Sequence, residues 1–86
     1  MTVTELTALI ENAFPGSLVE VQDYTGGGDH FQAVVVSPDF EGLGMVKQHQ
    51  KVYGALQTYL DDGRIHALAL KTYTPSQWQS TLVRLG

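Results

Sequence analysis

The sequence has no cysteine among its 86 residues, and this absence restricts its chemistry more than any residue that is present. Without cysteine the chain forms no disulfide and carries no thiolate nucleophile. It also lacks thiolate ligands for a structural zinc ion or a self-contained four-cysteine iron–sulfur cluster. A metal bound here must be held by histidine or carboxylate, or shared with a partner that brings thiolates.

Basic residues are also scarce, since five Lys and Arg stand against nine Asp and Glu, giving a net charge of -4. This balance argues against unassisted binding to a phosphate backbone, which normally needs a basic face. No apolar run approaches the roughly 20 residues of a membrane span. The first residues, MTVTELTALIENAF, contain acids and no Lys or Arg, unlike a signal or transit peptide. We therefore expect one globular domain over residues 1–86, cytoplasmic and without a membrane partner.

The first half of the chain predicts a helix followed by a hairpin. Thr2 and Glu5 have capping-box spacing, apolar residues then recur at helical intervals, and Pro15 ends the helix. The segments SLVEVQDY (17–24) and HFQAVVVS (30–37) have the composition of strands. The turn TGGGD between them is short, which favours an antiparallel pair.

The second half predicts a helix, a strand and a final helix. The first of these helices is expected from Met45 to Leu60, and the strand RIHALALK covers 64–71. Thr74 and Pro75 then give the final helix a capped start, with Trp78 on its apolar stripe. The apolar face predicted for the middle helix comprises Met45, Val46, His49, Val52, Tyr53, Leu56 and Leu60.

The resulting order αββαβα brings two histidines together. A strand, helix and strand in succession form a right-handed crossover, so the second and third strands are expected to be parallel neighbours. His30 opens the second strand and His66 is expected to be the third residue of the third. Parallel neighbours begin at the same end of a sheet, roughly 5 Å apart. We therefore expect both histidines near one corner.

Three segments resemble BolA-like proteins. GRIHALALKTYTPSQW (63–78) is similar to the family's signature, a strand reading roughly I-H-A-L-x-x-K-T followed by T-P-x-x-W. MVKQHQKVYGAL (45–56) resembles its histidine-containing helix, and VVVSPDFEGLG its strand and Ser-x-x-F-x-G loop. The family usually has R-H-R around the helix histidine, whereas this chain has Gln48-His49-Gln50, which weakens a function that depends on basic residues there.

This resemblance implies an α+β fold, αββαβα with a three-stranded mixed sheet, similar to class II KH domains. It also implies a heterodimer with a monothiol glutaredoxin of the CGFS type, in which the two proteins share a [2Fe–2S] cluster. The glutaredoxin cysteine and glutathione would supply two ligands. Carried over by residue, the ligands from this chain would be His66 of the I-H-A-L strand and His30 of the loop between the first two strands.

The sequence singles out further candidate residues, and some of them allow both a functional and a structural interpretation. Asp29 could orient His30 through its free ring nitrogen, or could cap the turn. His49 lies on an apolar stripe and is better explained as a structural residue. The basic residues Lys47, Lys51, Arg64 and Lys71 are expected to form either a solvated face or a contact surface for a partner or nucleic acid.

No catalytic constellation is visible, so the chain is expected to be a binding partner and not an enzyme. The leading hypothesis is a glutaredoxin partner for iron–sulfur trafficking or iron-status regulation. The alternative is a DNA-binding transcriptional regulator that uses its KH-like surface. However, Gly42-Leu43-Gly44 lacks the G-x-x-G spacing with which KH domains clamp a nucleic-acid backbone. A third possibility is a stress-response or morphology module without metal.

Overall fold

A computed structural model gives the fold of residues 1–85 and the side-chain burial of residues 1–83. It is a mixed α+β fold with a three-stranded sheet, as expected. The elements are α1 (Val3–Ala13), β1 (Leu18–Asp23), β2 (His30–Val36), a 3-10 turn (Pro38–Phe40), α2 (Met45–Ala55), α3 (Gln57–Asp61), β3 (Ala67–Tyr73) and α4 (Pro75–Leu85). No helix within this described range is long and apolar enough to cross a membrane.

The sheet has the order β1-β2-β3, which makes β2 its central strand. β1 and β2 are antiparallel, with Asp23 opposite Phe31. β2 and β3 are parallel, with His30 opposite Ala67. The prediction that the second and third strands are parallel neighbours is therefore confirmed.

The core lies between one face of the sheet and the helices. Alternate residues of β2 are buried because successive side chains of a strand point to opposite faces. Leu6 and Ile10 of α1 and Val52 of α2 pack into the same cluster. Phe40, which is completely buried, contacts Phe14 with 5.4 Å between ring centroids. The core thus fixes α1, α2 and the sheet as one packed unit.

The middle helix is shorter than predicted. It stops at Ala55, and a separate short helix follows, because Leu56 has φ -106 and ψ 7 and is held in the core with 1% exposure. The prediction also placed Met45 and Val46 on the buried face, whereas they are 68% and 69% exposed.

Gln48 takes a core position that the sequence analysis did not give it. It is 2% exposed, and its Nε2 donates to the Leu43 carbonyl at 2.9 Å. Gln48, Val52 and Leu56 follow one another at i, i+4 and i+8 and are all buried. Extending the stripe of Val52 and Leu56 back by one turn would have found it.

The third strand begins later than predicted, at Ala67 instead of residue 64. The Ile65 side chain is buried, and its N–H donates to the Tyr59 carbonyl at 3.0 Å. The Arg64 N–H donates to Asp62 Oδ1 at 3.0 Å. These contacts tie residues 62–65 to the end of α3, so His66 immediately precedes β3 and is not its third residue.

Candidate metal centre

The parallel pairing of β2 and β3 brings His30 and His66 together. Their ring centroids are 5.9 Å apart and their planes differ by 20°. His30 is the first residue of β2, and its register partner Ala67 directly follows His66. The two histidines thus lie near one corner of the sheet, as the topology predicted, although His66 is outside the strand.

Asp29 connects the two histidines through its backbone and its side chain. Its carbonyl oxygen accepts from the N–H of His66 at 2.8 Å and of Ala67 at 3.2 Å. Its carboxylate Oδ1 lies 3.0 Å from His30 Nδ1, although the contact is too far off the ring N–H direction to be a well-formed hydrogen bond. The Thr25 hydroxyl donates to the same oxygen at 3.2 Å. Asp29 therefore fixes the backbone of one histidine and faces the ring of the other.

The charge on Asp29 follows from these contacts. The imidazole of His30 holds the pKa of the Asp29 carboxyl below its usual value, with smaller contributions from Thr25 and the more distant His66. The side chains of His30 and Asp29 are 44% and 39% exposed, so water screens the pair. Because His30 Nδ1 itself is buried, Nε2 is the nitrogen left for a ligand bond.

The backbone of the glycine-rich loop before His30 is held by the carboxylate of Asp23, whereas the Asp29 carboxylate accepts from this loop only through the Thr25 hydroxyl. Asp23 Oδ1 accepts from the N–H of Thr25 at 3.2 Å and of Gly26 at 3.0 Å, and Oδ2 accepts from Gly28 at 2.9 Å. Gly28 has φ +74, and a Cβ there would lie 2.8 Å from the Met1 carbonyl oxygen. The loop therefore does not depend on a ligand for its hydrogen bonds, because the chain supplies its own acceptor.

The spacing of the histidine pair is compatible with two of the four ligands of a tetrahedral metal site. Two imidazoles on one tetrahedral metal ion, with metal–nitrogen bonds of about 2 Å, have ring centroids about 5 Å apart. The observed 5.9 Å is close enough for small side-chain rotations to close the gap. No group of three potential ligands is found among the described residues. The two imidazoles could supply two ligands of a four-coordinate metal ion, and the remaining ligands would have to come from outside the described residues.

A family model for BolA-like protein matches residues 10–77 of the chain. The chain belongs to the BolA-like family. Acid stress protein IbaG of Escherichia coli (strain K12) is 44% identical over 78 residues, covering 91% of this chain and 89% of that protein. The DNA-binding transcriptional regulator BolA of Haemophilus influenzae is 42% identical over 55 residues, which cover 64% of this chain and 52% of that protein.

Solved BolA structures have the same fold. A BolA protein homologue from Coxiella burnetii superposes with a TM-score of 0.78 at 38% identity, covering 92% of this chain and 97% of that one. The BolA domain of SufE1 from Arabidopsis thaliana gives 0.77 at 30% identity, covering 86% and 92%. The two sequence relatives are named as an acid stress protein and a DNA-binding transcriptional regulator.

His49, the helix histidine of this BolA-like chain, lies in a different environment from the pair. It is half-buried on α2 and meets Tyr53 edge-on, with 6.5 Å between ring centroids. The Tyr53 hydroxyl donates to the Leu68 carbonyl at 3.0 Å, which fastens α2 to β3. These contacts favour the structural interpretation of His49.

The four basic residues singled out from the sequence do not share one environment. Lys47 and Lys51 are exposed one turn apart on α2, and Lys71 is exposed on β3. Arg64 instead binds Asp62 through Nε at 2.8 Å and Nη2 at 2.7 Å, and its guanidinium lies 4.4 Å from the Tyr59 ring centroid. Asp62 raises the pKa of Arg64, and Arg64 lowers that of Asp62. Arg64 is therefore the least available of the four for an external ligand.

Proposed function

We propose that this BolA-like protein is a non-enzymatic, cytoplasmic partner of a monothiol CGFS glutaredoxin. In this complex, His66 and His30 contribute ligands to a [2Fe–2S] cluster for iron–sulfur trafficking or iron-status regulation. The observation that carries the proposal is the 5.9 Å separation of two histidine rings in a chain that contains no cysteine.

The incomplete ligand set supports the need for a partner. Iron in such clusters is held by thiolates or by thiolates and imidazoles together, and this chain offers only imidazoles. The glutaredoxin cysteine and glutathione would supply the missing sulfur ligands. Two imidazoles on one iron would give the cluster a higher potential than four thiolates do.

The two histidines would contribute differently because their surroundings differ. His66 has its backbone N–H fixed by the Asp29 carbonyl and stands directly before β3. His30 stands at the exit of the glycine loop, where the Asp29 carboxylate faces Nδ1 and leaves Nε2 free. The Asp29 carboxylate would thereby orient the His30 ring, as carboxylates beside metal-binding histidines often do. The Asp29 carbonyl would position His66 through its backbone N–H.

The proposal is tested by mixing the protein anaerobically with a CGFS glutaredoxin, glutathione, iron and sulfide, and recording visible absorption and circular dichroism. His66→Ala should abolish the mixed cluster, whereas His30→Ala should leave an altered and more labile one. His49→Ala is the matched control and should retain the wild-type spectrum. A wild-type spectrum and lifetime in His66→Ala would show that the shared-ligand mechanism is wrong.

A third variant tests the identity of the loop ligand. His30→Cys should still assemble the cluster but with a shifted spectrum and a lower reduction potential, because thiolate donates more charge to iron than imidazole does. Potentiometry on the purified complex measures the shift. An unchanged potential would exclude residue 30 as a ligand.

A second candidate function is DNA binding, favoured by the 42% identity to a protein named as a DNA-binding transcriptional regulator. Lys47, Lys51 and Lys71 make no ion pair with the described residues and are exposed. The net charge of -4 opposes this function. We expect weak binding to duplex DNA that falls steeply with added salt and is further weakened by Lys47→Gln with Lys51→Gln. Tight, sequence-selective binding that survives added salt would favour DNA binding over the glutaredoxin partnership as the main function.

A further inference from the structure

The outer edge of β3 has unpaired backbone groups over the second half of the strand. The N–H of Ala67 donates to Asp29, and the carbonyl of Tyr73 accepts from Ser37, so residues 67 and 73 both face β2. Backbone groups alternate in direction along a strand. The N–H and C=O groups of Leu68, Leu70 and Thr72 therefore point away from β2, to the side where the sheet ends.

This edge is covered at one end and open at the other. The Leu68 carbonyl is capped by the Tyr53 hydroxyl from α2. Neither Leu70 nor Thr72 has a backbone hydrogen-bond partner on that side among the described residues. An uncovered strand edge is a template for another strand, and proteins normally cover or charge it.

Two adjoining clefts, which we call the β3 cleft, lie beside the open half. Their volumes are about 310 and 240 Å³, and Met45, Thr72 and Tyr73 line both. The larger extends between α2 and α4 to Gln48, Gln77 and Ser80. The Thr72 side chain is 6% exposed, yet its hydroxyl has no hydrogen-bond partner. A buried hydroxyl without a partner is costly, and a ligand in the cleft could supply that partner.

We propose that the β3 cleft binds an extended peptide segment of a partner protein, which pairs with Leu70 and Thr72 as a fourth strand. The segment's backbone provides the alternating donors and acceptors that this edge lacks, and one of its polar groups meets the Thr72 hydroxyl. An acidic side chain in the segment pairs with Lys71, which lines the smaller cleft and has no ion-pair partner among the described residues. Met45 forms an apolar wall that adapts to different side chains.

This surface is separate from the histidine pair. Ala67, beside His66, and Thr72 are five residues apart, or about 17 Å along a strand. Peptide binding should therefore need neither iron nor glutaredoxin, and it can fail while the shared-cluster mechanism stands. A partner docked here would leave the histidine corner accessible.

The test selects a phage-displayed library of random eight-residue peptides against the iron-free wild-type protein. Enriched peptides, made synthetically, should shift the backbone amide signals of Leu70, Lys71 and Thr72 in nuclear magnetic resonance spectra. They should also slow hydrogen exchange at Leu70 and Thr72 by at least about tenfold, because those N–H groups gain partners. N-methylation of alternate peptide amides should weaken binding by at least about tenfold, because it removes the strand hydrogen bonds.

Matched variants locate the binding surface. Met45→Glu places a charge in the cleft wall and should weaken binding by at least about tenfold, whereas Val46→Glu should change it by less than about twofold. Val46 is equally exposed on the same helix but does not line the cleft. Thr72→Val should weaken binding about fivefold while the domain remains folded.

Five outcomes would overturn the proposal. The library could enrich no peptide, or the enriched peptides could act at other amides or tolerate N-methylation. Concentration-dependent dimers that Met45→Glu dissociates in sedimentation experiments would identify a second copy of this chain as the occupant. A ten-nucleotide thymidine strand that shifts the same amides, where no peptide does, would identify single-stranded nucleic acid.

Discussion

Removing the carboxylate of Asp23 should destabilise the protein and loosen the glycine loop, although this carboxylate forms no hydrogen bond with the side chain of His30 or His66. Asp23→Ala removes the acceptor of three backbone N–H groups, those of Thr25, Gly26 and Gly28. Hydrogen bonds to a charged group contribute about 1.5–3 kcal/mol when buried, and less when water can replace the acceptor. Two of the three bonds are exposed and one is partly buried. We therefore expect a loss of about 2 kcal/mol in the free energy of unfolding.

Thermal unfolding followed by circular dichroism measures this loss. For a domain of this size, 2 kcal/mol corresponds to a fall in Tm of about 8–16 °C. Asp23→Asn keeps Oδ1 as an acceptor for Thr25 and Gly26 but places an amide group opposite the Gly28 N–H. Its fall in Tm should therefore be smaller than that of Asp23→Ala. Hydrogen exchange at Gly26 and Gly28 should accelerate in both variants, most strongly in Asp23→Ala.

Asp39→Ala is the matched control because it removes the same charge from an exposed position. The Asp39 carboxylate accepts no hydrogen bond from the described residues, so its loss should cost less than about 0.5 kcal/mol. If the two alanine variants have the same Tm, the Asp23 carboxylate does not organise the loop. The argument that the loop is ordered before any ligand arrives would then be refuted.

Three further changes test other parts of the structure. Thr72→Val should raise the free energy of unfolding by about 1 kcal/mol, since it removes a buried hydroxyl without a partner; a lower Tm would mean that the hydroxyl has one. Phe40→Ala should cost about 3–5 kcal/mol in urea unfolding, because Phe40 is fully buried against Phe14; a loss below about 1 kcal/mol would contradict this packing. The pKa of Asp62 is lowered by Arg64, so its stabilising effect is complete above the unfolded-state pKa of about 3.9 and is lost as the pH falls through the lower folded-state pKa. The difference in Tm between the wild type and Asp62→Asn should accordingly shrink in strong acid, and a constant difference from pH 7 to pH 2 would contradict the assigned contact.

The sequence by itself determined the elements whose signals are local. Thr2 and Glu5 form the expected capping box, with hydrogen bonds of 3.2 and 3.0 Å, and α1 ends before Pro15. Thr74 and Gln77 make the same reciprocal pair at the start of α4. Such caps join residues three apart, so the sequence order alone places the groups within reach.

The sequence also determined the pairing of the strands, and through it the meeting of two histidines. A helix between two strands leaves parallel pairing as the simplest connection, and parallel strands begin at one end of a sheet. The observed register places His30 opposite Ala67, next to His66. This part of the candidate site needed only topology, because His30 begins β2 and His66 directly precedes β3.

Only the tertiary structure decided the features that depend on distant contacts. The start of β3 moved to Ala67 because Ile65 is bound to the end of α3, and Gln48 became a core residue because its amide reaches the Leu43 carbonyl. The order of the glycine loop came from three bonds to one carboxylate of the preceding strand. The open edge at Leu70 and Thr72 is likewise a property of the whole sheet, since only the final packing of α2 and α4 shows which strand groups lack a partner. Burial and hydrogen-bond partners depend on which segments meet in space, and residue spacing along the chain does not contain that information.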